Sequence, residues 1–233
     1  MVILDCKINR IIEESKDTRT LQLKPIKGSI FDFKPGHFVM LFIKNDDGEF
    51  KESRAYSIAN SPTRKTHLDI TYKKAGYFTG KLHELKIGDV VRVKGPYGQF
   101  TYDETCKDAV LLAGGVGITP FRSYLEYVFD RNLPNKLTLI FSNKTSVDIL
   151  YKKELEKLDN QKNVRVFFTL TRDNWKGLTG RIDAKLLKEC CGNKIAEKIY
   201  YICGTGDFVK AMTALLQEIN VSKENIKIES FGG

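Results

Sequence analysis

The chain has 233 residues, 42% hydrophobic and 29% charged, which is enough apolar side chain for two modest domains. Lys and Arg outnumber Asp and Glu by 38 to 29, a net charge of +9 without a basic tract or interleaved aromatics, which argues against nucleic acid and favours phosphorylated cofactors or an acidic protein partner. Five scattered cysteines (Cys6, Cys106, Cys190, Cys191, Cys203) and three histidines show no disulfide, metal or iron–sulfur spacing, and no signal-peptide layout or long apolar run is present, so the expectation is a cytoplasmic protein without membrane insertion whose redox cofactor, if any, is organic.

Residues 1–101 read as six short strands separated by turn residues: CKINRIIEES, TRTLQLK, HFVMLFIKN, ESRAYSIAN, HLDITYKK and DVVRVKG. Lys34-Pro35-Gly36, Asp46-Asp47-Gly48 and Ile87-Gly88-Asp89 punctuate them. So many short strands predict a six-stranded antiparallel β-barrel, because closure hides edges that would otherwise be exposed. Between the last two strands, Gly76 to Leu85 predicts one short helix whose glycine- and threonine-containing start leaves N–H groups free for an anion.

Within the fourth strand, Arg54-Ala55-Tyr56-Ser57 alternates a cation, an aromatic ring and a hydroxyl. That spacing offers a phosphate clamp, a stacking platform and a hydrogen-bonding group along the edge of a planar cofactor. The same tetrapeptide also reads as a half-buried strand whose Tyr packs and whose Arg is solvated.

From residue 102 the pattern changes to apolar strands alternating with helices: AVLLAGG, helix 119–131, KLTLIFSN, helix 150–160, VRVFFTLT, helix 183–191, KIYYICG, helix 207–219 and IKIESF. This βα alternation predicts an α/β domain over 102–233 with a parallel sheet covered on both faces. Gly114-Gly115-Val116-Gly117-Ile118-Thr119-Pro120 follows the first of these strands and opens a helix, a place where backbone can approach a pyrophosphate. Cys203-Gly204-Thr205-Gly206-Asp207 ends a later strand and is expected at the same carboxyl edge. Cys203 reads either as a small buried residue or as a thiol lining a pocket.

Taken in order, RAYS at 54–57, GYFT at 76–79, GPYGQF at 95–100, GGVGITP at 114–120, CG at 203–204 and ESF at 229–231 make the chain resemble the ferredoxin–NADP reductase family over essentially its whole length. The resemblance implies an FAD-binding barrel followed by an NAD(P)-binding α/β domain, with hydride passing from nicotinamide to flavin. It implies that Arg54 binds the flavin diphosphate, Tyr56 stacks on the isoalloxazine and Ser57 hydrogen-bonds near N5. Ile70 to Tyr72, with Gly76, Phe78 and Thr79, would hold the ribityl and diphosphate portions. Gly115, Val116 and Thr119 would contact the nicotinamide nucleotide, Cys203, Gly204 and Asp207 would line its pocket, and Glu229 would be a candidate proton relay. Phe231 matches the aromatic that covers the other flavin face in relatives, although here Gly232 and Gly233 follow it.

The second nucleotide is NADPH or NADH. Where NADH-preferring relatives tend to carry an acid, this chain has Thr171 followed by Arg172, a cation suited to a 2′-phosphate, which tilts the expectation to NADPH. The expected acceptor is a small acidic electron-transfer protein such as ferredoxin, with free flavin or a larger redox complex as alternatives.

Overall fold

The computed structural model describes residues 1–159, 161 and 163–231, so the last residue of the expected helix 150–160 and the two terminal glycines lie outside the described residues. The chain divides into two compact units, one of Met1–Tyr102 with Arg122–Tyr127, the other of Asp103–Phe121 with the chain from Val128 onward.

The first unit is a six-stranded antiparallel barrel. Its strands are β1 (Val2–Ser15), β2 (Thr18–Pro25), β3 (Phe38–Ile43), β4 (Glu52–Ser57), β5 (Leu68–Lys73) and β6 (Val90–Tyr97), in the order β4-β3-β6-β1-β2-β5. The two outer strands meet through a bridge between Ile58 and Ile70. Alternation turns Val39, Leu41 and Ile43 of β3 inward, against Ile8, Leu21, Leu23, Ile70, Val91 and Val93. The helix α1 (Tyr77–Glu84) adds Phe78 and Leu82, four residues apart on one helical face and both buried. Each such fully buried large side chain stabilises the fold by about 1.5–3 kcal/mol.

Among the strand boundaries that differ from the sequence reading, two bear on pairing. β1 starts at Val2 because Val2 to Lys7 pair with β6, a partnership that the exposed Val2 and Ile3 do not signal by alternation. β6 continues past Pro96 to Tyr97, which pairs with Phe38 across a register shift.

The second unit is a parallel sheet in the order β10-β9-β8-β7-β11-β12. The elements in and around it are β7 (Asp108–Gly114), α2 (Thr119–Asp130, whose Arg122–Tyr127 counts with the first unit), β8 (Lys136–Asn143), α3 (Lys152–Asp159), β9 (Val164–Leu170), β10 (Leu178–Thr179), α4 (Ala184–Cys191), β11 (Ile199–Thr205), α5 (Gly206–Glu218) and β12 (Ile226–Phe231). The two-residue β10 is too short to show in any periodicity. The chain runs outward from β7 to β10 and then returns to lay β11 on the other side of β7. That reversal makes the carboxyl ends of β7 and β11 neighbours at a topological switch point, where open α/β sheets take ligands.

Candidate functional site

On β4 the side chains of Glu52, Arg54 and Tyr56 alternate onto one face. Tyr56 is half-buried, its ring 6.4 Å from Phe78 at 26° and 6.5 Å from Tyr72 at 71°. Burial, reinforced by Tyr72, pushes its phenol well above the usual range, so Tyr56 remains a neutral ring at physiological pH. Arg54 is exposed, its guanidinium 5.3 Å from the Phe78 ring centre, and it donates to the Ser53 carbonyl at 2.8 Å. It has no carboxylate partner among the described residues. Ala55 faces solvent and Ser57 is buried where β4 pairs with Phe38.

Phe78 links this strand to the start of α1. The Thr79 hydroxyl accepts the N–H groups of Ala75 and Gly76 at 2.9 and 3.0 Å and donates to the Gly76 carbonyl at 3.1 Å. The first backbone bond back into the turn is Gly80 to Gly76, at 2.8 Å. The N–H groups of Tyr77, Phe78 and Thr79 therefore have no acceptor within the helix. A guanidinium without a carboxylate partner among the described residues, beside a helix start whose N–H groups have no helical acceptor, is a donor set that fits a dinucleotide diphosphate. The side chains of Ile70 and Tyr72 are buried in the barrel, Tyr72 donating to the Leu82 carbonyl at 3.3 Å.

In the second unit, Gly115 to Ile118 form one turn of 3-10 helix leading into α2. Gly115 has φ +54° with open space where a Cβ would stand, a left-handed conformation that favours glycine. Gly117, which sequence reasoning did not single out, is packed so closely that a Cβ would lie 2.2 Å from the Cys203 carbonyl oxygen. Val116 is half-exposed, whereas Thr119 is buried and its hydroxyl donates to the Val116 carbonyl at 2.9 Å, shaping the turn. The Phe208 ring fills the space over Gly114 and Gly204, where a Cβ would meet it at 2.9 and 2.7 Å.

Cys203 is fully buried, and burial, helped by the neighbouring Glu229 charge, pushes its thiol far above the ordinary range. Glu229 is its partner in the register of β11 and β12, and burial raises its carboxyl. Thr205 caps α5 through the Phe208 N–H at 3.4 Å, and exposed Asp207 sits in the first helical turn, where a carboxylate is favourable to the helix dipole. Phe231 ends β12 opposite Thr205.

Two further features lie at this edge. Asn143 ends β8 as a buried residue whose amide nitrogen and oxygen have no partner among the described residues. Its only sequence signal is a polar residue closing the otherwise apolar LTLIFSN. Beside it, Arg172 is exposed and its N–H donates to the Lys144 carbonyl at 2.9 Å. The adjacent Asp173 is turned away, its carboxylate accepting the Ser146 N–H and hydroxyl at 2.9 and 2.7 Å, bonds that hold it below the usual carboxylate range.

A barrel bearing the Arg54 donor set and a parallel sheet with a glycine-rich switch point make a two-domain plan suited to dinucleotides. Residues 5–102 match the oxidoreductase FAD-binding domain and residues 111–214 the oxidoreductase NAD-binding domain. The chain belongs to the ferredoxin–NADP reductase-like family of flavoprotein oxidoreductases, binding FAD and a nicotinamide nucleotide. It is 31% identical to a flavohemoprotein of Bacillus subtilis over 94% of this chain and 57% of that protein. To the glycine betaine monooxygenase reductase subunit of Chromohalobacter salexigens it is 32% identical, over 96% of this chain and 62% of that one. It therefore spans about three fifths of these curated relatives. The FAD/NAD-binding domain of a Vibrio cholerae nitric oxide dioxygenase shares its fold, with TM-score 0.89 at 23% identity over 99% of both chains. No helix among the described residues is long and apolar enough to cross a membrane.

Proposed function

We propose that this chain is an FAD-dependent reductase that takes hydride from NAD(P)H, NADPH preferred, and passes electrons to a separate acidic electron-transfer protein of the ferredoxin kind. The observation that carries the reading is the Arg54 guanidinium, without a carboxylate partner among the described residues, set through Phe78 against the N–H groups at the start of α1 that have no helical acceptor. When bound, the flavin supplies the chemistry, accepting two electrons as hydride and releasing them singly.

The protein's own residues hold, orient and shield. Arg54 and the α1 start anchor the diphosphate, Tyr56, braced by Phe78, presents a neutral ring for stacking, and Ser57 supplies a hydrogen bond at the flavin's reactive edge. Gly115 and Val116 let a second diphosphate approach the start of α2. Asn143 has an unsatisfied amide to offer at the same edge, and buried polar groups favour such pairing. Gly204 and Asp207 flank the nucleotide at the start of α5, where Cys203 stays a thiol beside the nicotinamide, while Glu229, with its carboxyl raised by burial, is the group able to hold a proton there. Phe231, at the end of β12, is the candidate cover for the flavin's other face.

The net charge of +9 supports an acidic partner through electrostatic steering, and the similarity to a reductase subunit supports electrons leaving to another protein rather than to free flavin. The deciding experiment is anaerobic bleaching of the reconstituted flavoprotein by NADPH and by NADH, followed by reoxidation with an acidic ferredoxin or with free FMN. Rapid NADPH bleaching and ferredoxin reoxidation are expected. Turnover with free FMN alone removes the acceptor assignment, and a protein that retains no flavin removes the whole reading.

A further inference from the structure

Among the described residues the outer strands β4 and β5 meet only at the antiparallel bridge between Ile58 and Ile70. Counting two residues from that bridge, back along β4 and forward along β5, reaches Tyr56 and Tyr72, so at this point the seam is filled by rings rather than laced by backbone hydrogen bonds. The two rings form a T-shaped pair, 6.5 Å between centres at 71°, while Phe78 of α1 lies more nearly parallel to Tyr56, at 6.4 Å and 26°. Contacts from two directions at such different angles restrict how far the Tyr56 ring can tilt.

Tyr72 is itself held from behind. It is 2% exposed, its hydroxyl donates to the Leu82 carbonyl at 3.3 Å and lies 3.4 Å from Nδ1 of His83, and its ring meets that imidazole at 6.1 Å and 83°. Arg19 of β2 secures the same end of α1, its guanidinium donating to the His83 carbonyl and to the Glu13 carboxylate, each at 2.7 Å. Phe78 and Leu82 bury the helix in the barrel core. α1 therefore reaches Tyr56 twice, directly through Phe78 and from its last turn through Tyr72.

We propose that Tyr72 is a positioning residue of the reductase: its ring sets the tilt of the Tyr56 ring and, through Leu82 and His83, ties that tilt to the helix whose start contributes to the diphosphate donor set. The assignment rests on the flavin reading above, in which Tyr56 is the stacking ring. Stacking needs parallel planes, and a ring already fixed by its neighbours loses less freedom when a ligand binds than one that can swing. An aromatic pair of this kind is worth about two- to tenfold in an equilibrium constant beyond the area it buries. The hydroxyl contacts, at 3.3 and 3.4 Å, are long for O–H donors, so the ring rather than the hydroxyl carries the effect.

The test reconstitutes the native chain, Tyr72→Phe, Tyr72→Leu, Tyr72→Met and Tyr56→Ala with FAD. It reads FAD affinity and the fluorescence lifetime of the bound flavin, which a stacked tyrosine shortens by electron transfer at contact distance. Tyr72→Phe is expected to keep both native values. Tyr72→Leu and Tyr72→Met, which fill the site without an aromatic ring, are expected to lose about two- to tenfold in affinity and to lengthen the lifetime toward that of Tyr56→Ala. Placed in a Tyr56→Ala background, Tyr72→Leu is expected to change neither quantity further, because its effect passes through Tyr56. Native affinity and lifetime in both apolar variants overturn the proposal. So does an undiminished loss in the Tyr56→Ala background, and so does failure of both apolar variants to fold, which would make Tyr72 a support of the barrel alone. A native chain that binds FAD with the lifetime of Tyr56→Ala overturns this inference while leaving the flavin reading standing; a native chain that binds no FAD overturns both.

Discussion

A Cβ on Gly117 would stand 2.2 Å from the carbonyl oxygen of Cys203, so the glycine-rich turn after β7 is pressed against the end of β11 with no room for a side chain. The approach joins the two segments that flank the switch point of the sheet. Gly117→Ala must push the turn off β11, at a cost of about 1–3 kcal/mol for overpacking. Flavin content is expected to stay native and the rate of flavin reduction by NADPH to fall at least about tenfold, read by stopped-flow absorbance.

In the proposed function Arg54 anchors the diphosphate, with no competing carboxylate among the described residues. Arg54→Ala is expected to weaken FAD binding by about 1.5–3 kcal/mol, the worth of hydrogen bonds to a charged group, measured by flavin fluorescence on dilution. Tyr56→Ala should also shed flavin, and unchanged flavin content would remove its stacking role.

Glu126 holds together the α2 segment counted with the barrel. It accepts the Ser61 N–H at 2.8 Å and binds Arg64 at 2.6 Å and Arg122 at 3.0 Å, with its own side chain 1% exposed; Arg122 also reaches Asp69 at 2.9 Å. Glu126→Ala leaves cations and an N–H facing a buried gap, and a loss of about 3–5 kcal/mol is expected in urea denaturation. Arg64→Ala, at a side chain 41% exposed, should cost much less.

Arg172→Ala is expected to raise KM for NADPH about tenfold with KM for NADH unchanged, since only the 2′-phosphate demands the cation. Asp173 is bound to Ser146 and is not free to substitute as a ribose ligand. Equal effects on the two nucleotides would place Arg172 among the solvated surface residues.

Glu229 gives a pH dependence of definite sign. Burial raises its carboxyl, so the folded state favours the protonated form, and its contribution to stability declines as pH rises from the ordinary glutamate range through the raised folded value. Glu229→Gln removes that decline. The variant is therefore expected to gain on the native chain in denaturation midpoints as pH rises above the ordinary glutamate range, and parallel curves would show that the carboxyl titrates normally.

The strands and helices were legible because their signals are local. The alternation in β3, the apolar runs of β7 and β8 and the short helix between Gly76 and Leu85 each occupy a few successive residues. The two-residue β10 escaped because it is too short to show a period, and the extension of β1 to Val2 because its partner β6 is distant in the chain. Asn143 was invisible as a site residue, since only its burial without a partner sets it apart from any other asparagine.

By itself the sequence determined the two-domain plan, the family motifs and the chemical types at 54 to 57 and 114 to 120, all of which are contiguous and therefore encoded in spacing. Only the tertiary structure decided which groups remain available. It spent Asp173 on Ser146 and the Thr119 hydroxyl on Val116, left Arg54 open, and brought Gly117 onto Cys203. Availability depends on what the rest of the folded chain has already satisfied or filled, and no local pattern records that.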